Sequence, residues 1–97
     1  MTNFRTYQLA KSFYLDCQRL VLSGPAKDQF NRASLSIVLN LAEGSAKPTA
    51  RDRKRFYFIA LGSLREVQTL LDLFGTPKFT AKADVLGAHL YKLCKST

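Results

Sequence analysis

Four stretches of this 97-residue chain repeat apolar residues at helical spacing, and three short breaks separate them. The breaks are "SGP" at 23–25, "SAKPT" at 45–49 and "GTP" at 75–77. They interrupt the pattern because glycine and proline end helices. No stretch alternates with period two for long enough to form a strand. Four helices joined by short loops predict an all-α, antiparallel up-down four-helix bundle in a single domain, 1–97.

Local signals predict where each helix begins and ends. The first helix is expected to run from about Phe4 to Leu22, and the second from about Ala26 to Glu43, with Gly44 as its stop signal. Thr49 is a plausible N-cap for the third helix, with Asp52 in the first turn, where the helix dipole favours an acid. That helix is expected to end at Phe74, and Thr80 is expected to cap the fourth.

The charge is strongly positive, with 15 Lys and Arg against 7 Asp and Glu, a net charge of +8. Such an excess favours polyanionic partners such as RNA, DNA or anionic lipid, although small soluble proteins without such partners also carry it. The first 20 residues lack the apolar run of a signal peptide, and no run approaches the length of a membrane span. A chain this short buries only about two-thirds of its unfolded surface, so association would stabilise it.

The cysteines and the histidine do not indicate a metal site. Cys17 and Cys94 lie near opposite ends of the chain, and we expect two reduced, half-buried thiols of a cytosolic protein. His89 is the only histidine and is expected to be half-buried in the bundle. With no metal-ligand spacing, neither a metal nor a cofactor is expected. The four tyrosines are spread over three helices, which favours packing at the core edge over base stacking: Tyr7, Tyr14, Tyr57 and Tyr91.

Polar residues interrupt the broad apolar faces of helices two and three. The excess apolar surface suggests that helix two is covered on a second side, by another subunit or a neighbouring helix. In an antiparallel pair, residues whose numbers sum to about 94–98 lie level, which predicts the charge pairs Arg32–Glu66 and Glu43–Arg55. The whole candidate network, which would fix helix register, is Arg32, Ser36, Asn40, Glu43, Ser63 and Glu66.

A catalytic interpretation of the same residues is weaker. Asn40, Glu43 and Glu66 have no histidine and no activated nucleophile near them in the predicted fold. A di-iron bundle would need Glu-x-x-His motifs, which the chain lacks. We therefore expect a protein that is not an enzyme, with no catalytic residues.

Five basic residues surround the predicted start of the third helix: Lys47, Arg51, Arg53, Lys54 and Arg55. They are candidates for binding nucleic-acid phosphates, and in a ring they would repeat around one rim. The alternatives are a solvated helix start, partly neutralised by Glu43, or a site for an acidic protein. Basic residues at a helix N-terminus oppose the helix dipole, so stability alone does not require them there.

Two segments, "QFNRASLSIVLNLAEG" (29–44) and "RKRFYFIALGSLREVQTLL" (53–71), resemble a known family. It comprises the four-helix-bundle proteins encoded in intervening sequences of bacterial 23S ribosomal RNA genes. The family pattern in helix two is matched by Gln29, Arg32, Ala33, Ser36, Ile37, Asn40, Ala42, Glu43 and Gly44. The helix-three pattern is matched by Arg55, Phe56, Ile59, Ala60, Gly62, Ser63 and Glu66. The chain departs from the family in its short "SGPAKD" connection and in Asn31.

The resemblance implies a cytoplasmic four-helix bundle that assembles as a ring, a homopentamer. It also implies distant similarity to the basic pentameric accessory proteins of diversity-generating retroelements, which bind a reverse transcriptase and nucleic acid. The family itself carries no established activity. The first hypothesis is therefore a non-enzymatic oligomer that binds RNA or DNA through a basic rim. The alternative is an oligomeric protein–protein adaptor without nucleic-acid binding.

Overall fold

A computed structural model describes residues 4–97, which form four α-helices and no strand. The helices are α1 (Arg5–Cys17), α2 (Gly24–Ser45), α3 (Ala50–Phe74) and α4 (Pro77–Ser96). The all-α class and the number of helices predicted from the apolar periodicity are thus confirmed.

The first helix is shorter than the sequence pattern predicted, because it ends at Cys17 rather than near Leu22. Residues 20–23 are not helical, yet the Leu20 side chain is buried and its carbonyl accepts a hydrogen bond from Lys27 Nζ at 2.9 Å. Val21, which continues the apolar spacing, is 91% exposed. Gly24 then begins α2 with a φ of +52°, a conformation that favours glycine.

Gly44 is not the stop signal that the sequence suggested, because α2 continues through it to Ser45. A Cβ atom at position 44 would lie 2.8 Å from Cε1 of Tyr57 and 2.9 Å from Cβ of Phe56. Both distances are shorter than ordinary van der Waals contacts. The glycine is therefore required by the close approach of α3.

The predicted boundaries of α3 are confirmed, whereas the predicted start of α4 is wrong. The Asp52 amide donates to Oγ1 of Thr49 at 3.2 Å, and Asp52 lies in the first turn of α3. The helix ends at Phe74. The fourth helix begins at Pro77, where the missing N–H has no helical partner to lose. Thr80 lies inside α4, and its hydroxyl donates to the Thr76 carbonyl at 3.2 Å.

Each helix packs against two others, in the pairs α1–α2, α2–α3, α3–α4 and α1–α4. All four helices contribute side chains to one buried cluster, which includes Phe13, Phe30, Leu41, Leu64 and Leu86. Burial of these side chains, at about 25 cal/mol per Å² of apolar surface, is the main force holding the helices together.

The contacts of α3 fix which parts of the chain lie beside one another. Gly44, near the end of α2, touches Tyr57 near the start of α3, while Gln29 at the other end of α2 bonds Glu66. Toward α4, the nitrogen Nε2 of Gln68 donates to Asp84 at 3.0 Å. The start of α3 therefore lies beside the end of α2.

The start of α1 and the end of α4 lie in the same region of the molecule. The rings of Phe4 and Tyr57 have centroids 6.3 Å apart. Along α4, Asp84 bonds Gln68, and Gly87 lies beside Leu64, so the end of α4 points toward the start of α3. One end of the molecule thus gathers parts of all four helices.

Candidate nucleic-acid interface

This end of the molecule, called the basic end below, carries most of the positive charge of the protein. Its basic residues are Arg5, Lys47, Arg51, Arg53, Lys54, Arg55, Lys92 and Lys95. Only two acidic residues, Glu43 and Asp52, lie among them. The excess of six positive charges accounts for most of the net charge of +8.

The rest of the described chain is nearly balanced, with seven basic residues against five acidic ones. The opposite end of the molecule, called the balanced end below, holds Arg19, Lys27, Lys78 and Lys82 together with Asp16, Asp28 and Asp72. Lys82 Nζ lies 2.6 Å from Asp16 Oδ2. The excess positive charge of the protein is therefore concentrated at one end.

Two of the five candidate phosphate-binding residues are held by the fold. Lys47 Nζ lies 3.3 Å from Glu43 Oε2 and 5.1 Å from the centre of the Phe56 ring. Arg53 Nη1 donates to the Lys47 carbonyl at 3.1 Å. These contacts tie the loop between α2 and α3 to the first turn of α3.

The other three candidates are more available to a ligand. Arg51 and Arg55 are exposed, and Lys54 is partly exposed. None of the three forms an ion pair within residues 4–97. The Arg55 guanidinium lies 5.3 Å from the centre of the Phe56 ring, and Lys54 Nζ lies 5.9 Å from that of Phe58. A guanidinium beside an aromatic ring keeps its N–H groups free for a phosphate.

Three members of the predicted polar network meet between α2 and α3. The hydroxyls of Ser36 and Ser63 are 2.8 Å apart and hydrogen-bonded. Asn40 Nδ2 donates to the Ser36 carbonyl at 2.9 Å and to its hydroxyl at 3.1 Å. These bonds satisfy polar groups that would otherwise be costly at a partly buried helix contact.

The two predicted charge pairs are wrong, because each carboxylate has a different partner. Glu66 accepts a hydrogen bond from Gln29, and Glu43 pairs with Lys47 one helical turn away. Arg32 is exposed and forms no ion pair within the described chain. Gln29 was not predicted as the partner of Glu66, although 29 and 66 also sum to a value in the expected window, because the prediction paired Glu66 with an opposite charge.

The cysteines are more deeply buried than the sequence suggested. Both are free thiols, and their side chains are no more than 1% exposed. Burial raises the pKa of Cys17 to about 12 and raises that of Cys94 in the same direction. Neither thiol is a ready nucleophile, since the reactive form is the thiolate. His89 is half-buried, as predicted. Residues 4–97 contain no group of three or more side chains suited to holding a metal ion.

The tyrosines do not share one environment. Tyr57 is buried, Tyr7 and Tyr14 are half-buried, but Tyr91 is 51% exposed, which contradicts the expectation that it packs at the core edge. Its ring centre lies 5.6 Å from Lys95 Nζ. Phe58, not singled out in the sequence, is 48% exposed and lies beside Lys54. The spacing of four residues between lysine and ring was the available signal for both pairs.

The fold and the charge distribution define a class: a small all-α protein of four helices with one electropositive end. No helix in residues 4–97 has the length and apolar character needed to cross a bilayer. The family model for the 23S rRNA-intervening sequence protein matches residues 2–96. The chain belongs to that family. No curated protein matches the chain.

Proposed function

We propose that this protein is a non-enzymatic, cytoplasmic oligomer that binds RNA or DNA through its basic end. The observation that carries the proposal is the concentration of charge, an excess of six at the basic end against an excess of two over the rest of the described chain. Phosphate contacts from Lys and Arg give affinity without base sequence specificity. Arg51, Lys54 and Arg55 would make the strongest contacts because, unlike Lys47 and Arg53, they have no competing ion pair or hydrogen bond within residues 4–97.

The proposed architecture is an antiparallel up-down bundle that closes into a homopentameric ring. The pairing of Gly44 with Tyr57 and of Gln29 with Glu66 supports opposite directions for α2 and α3. A ring needs two different surfaces on each subunit, one for each neighbour. Exposed apolar side chains on α2 and α3 offer one: Leu35, Leu39, Ile59 and Leu73.

The second surface is a groove of about 240 Å³ between α1 and α4. Leu9, Phe13 and Leu86 line it, and the half-exposed Val85 lies at its rim. Because α1 and α4 lie across the molecule from the α2–α3 contact, the two apolar surfaces face apart, as a head-to-tail ring requires. A ring would also present the basic end of every subunit on one rim, where weak phosphate contacts act together.

The test is a salt series. Binding of duplex DNA and of an RNA hairpin is measured by fluorescence anisotropy from 50 to 400 mM NaCl, about the range over which phosphate contacts weaken. Light scattering on the protein alone at each salt concentration should give a mass close to five times 10.9 kDa. We expect affinity to fall steeply with salt and to ignore base sequence.

A matched pair of variants locates the site. Arg51→Ala with Lys54→Ala should reduce the slope of log K against log salt by about 2 on duplex DNA, since each lost phosphate contact removes about 0.9. Arg19→Ala with Lys78→Ala removes the same charge from the balanced end and should leave the slope unchanged. Equal losses in both variants would mean that net charge alone drives binding. A ring that ignores nucleic acid at 50 mM salt would favour the adaptor role.

A further inference from the structure

Within residues 4–97, every contact between a cation and an aromatic ring lies at the basic end. Lys47 and Arg55 flank Phe56, Lys54 lies over Phe58, and Lys95 lies over Tyr91. Two of the three rings are about half exposed, Phe58 at 48% and Tyr91 at 51%. Each of these two rings is thus about half exposed and has an ammonium group within 6 Å of its centre.

Phe58 and Tyr91 lie on the same side of the molecule, where α3 meets α4. On α3, Phe58 shares a stripe with Arg65, seven residues further on, and Gln68 lies on the neighbouring stripe. Gln68 donates a hydrogen bond to Asp84 of α4. Arg65 Nη1 lies 3.5 Å from where a Cβ atom would lie at position 87 of α4. This side of α3 therefore borders α4.

The matching stripe on α4 places the second ring at nearly the same level. Asp84, Gly87 and Tyr91 are spaced by three and four residues, and the first two meet α3. Leu64 Cδ2 lies 3.0 Å from where a Cβ atom would lie at position 87. One turn beyond Gly87, Tyr91 is therefore level with Leu61, and Phe58 lies less than one further turn away, about 5 Å along the axis.

We propose that Phe58 and Tyr91 are stacking platforms for unpaired bases, and that Lys54 and Lys95 take the adjoining phosphates. The basic end would then prefer single-stranded RNA or DNA to a duplex. The inference rests on the proposed nucleic-acid binding and adds the class of ligand. Every base has a flat π face, so stacking requires no particular sequence, but the bases must be unpaired to be reached.

The arrangement is not explained by folding stability. A half-exposed phenylalanine buries only part of its surface, and a surface cation–ring contact contributes about 0.5–1 kcal/mol. Phe74, which is 56% exposed at the other end of α3, has no cation over its ring within the described chain. The cation–ring pairs thus follow the basic end and not the exposed aromatics in general.

The experiment compares a labelled 20-nucleotide oligo-uridine with an RNA duplex of the same length, at one fixed salt concentration. We expect wild type to bind the single strand more tightly. Phe58→Leu and Tyr91→Leu should each weaken single-strand binding by roughly fivefold or more, since stacking contributes about 1–3 kcal/mol per base. Duplex binding and the salt slope should stay within twofold. Phe74→Leu makes the same chemical change at the balanced end and should alter neither ligand.

A tryptophan variant gives a second readout, because the chain contains no tryptophan. Phe58→Trp should retain single-strand affinity, and its emission should be quenched by oligo-uridine but not by the duplex. Equal binding of both ligands, with no effect of Phe58→Leu or Tyr91→Leu, would overturn the stacking inference and leave the phosphate-binding proposal standing. If the wild-type protein shows no salt-dependent binding to either ligand, both proposals are overturned.

Discussion

The α2–α3 pair and the α1–α4 pair are built differently. The first joins helices of 22 and 25 residues, with glycine at one close contact and hydrogen-bonded serines at another. The second joins helices of 13 and 20 residues, leaves a groove of about 240 Å³ and has one exposed ion pair across it. The α2–α3 pair is closely packed and hydrogen-bonded, and the α1–α4 pair is held mainly by apolar burial.

The difference bears on function because the closely packed pair carries the candidate site. Arg51, Lys54 and Arg55 lie in the first turns of α3, immediately before Tyr57, which contacts Gly44. A well-packed contact holds the backbone that carries these side chains at a fixed position, which reduces the ordering cost of binding. The looser pair leaves apolar surface that a second subunit can cover.

The largest expected effect compares truncation in the fully packed core with truncation beside the groove of the α1–α4 pair. Leu64 of α3 is fully buried in the core, next to Gly87 of α4, whereas Leu86, 1% exposed, lines the groove between α1 and α4. Leu64→Ala should lower the free energy of unfolding by about 3–5 kcal/mol and Leu86→Ala by about 2–3 kcal/mol, since the cost depends on how far the site can relax. Urea denaturation at one subunit concentration measures both. Equal costs would mean that the groove gives no freedom to relax.

Two glycine substitutions test the close approach of α2 and α3, and their expected effects on stability are smaller and opposite in sign. Gly44→Ala should destabilise the protein by about 1–2 kcal/mol, because overpacking outweighs the gain in helix propensity. Phe56 Cβ belongs to a helix and cannot turn aside. Gly62→Ala, at an exposed site with no atom near the added Cβ, should stabilise α3 by about 0.5–1 kcal/mol. Thermal melts of both variants check the signs, and stabilisation by Gly44→Ala would contradict the packing argument.

Local features were readable from the sequence because their causes are local. Thr49 caps α3 through an amide three residues away, and the end at Phe74 follows from the next three residues. Four helices follow from four apolar patterns. The first pattern failed at Val21, where apolar spacing continued although the chain had left the helix.

Features that depend on a second helix were not readable in the same way. Gly44 has the appearance of a stop signal until Tyr57 is placed beside it. The register rule placed residues near Glu66 but could not choose between Arg32 and Gln29, since the choice depends on side-chain direction. The concentration of charge at one end required the order in which all four helices meet.

The smallest expected effect concerns the ion pair of the α1–α4 junction. Asp16 and Lys82 are about two-fifths exposed, at 43% and 41%, and exposed pairs contribute about 0.2–1 kcal/mol. Asp16→Asn should therefore lower the free energy of unfolding by less than about 1 kcal/mol at pH 7. The hydrogen bond from Lys82 holds the pKa of Asp16 below its ordinary value of 3.8.

The sign of that shift sets the pH dependence. A carboxylate with a lowered folded-state pKa stabilises the protein above the ordinary pKa, and this contribution is lost as the pH falls through the folded-state value. Urea midpoints of wild type and Asp16→Asn should therefore differ at pH 7 and 5 and converge below pH 3.8. Added salt should narrow the difference at pH 7, because exposed pairs are screened. A difference that persists in acid would assign Asp16 a packing role in the groove, and the α1–α4 pair would then be more closely fitted than its geometry indicates.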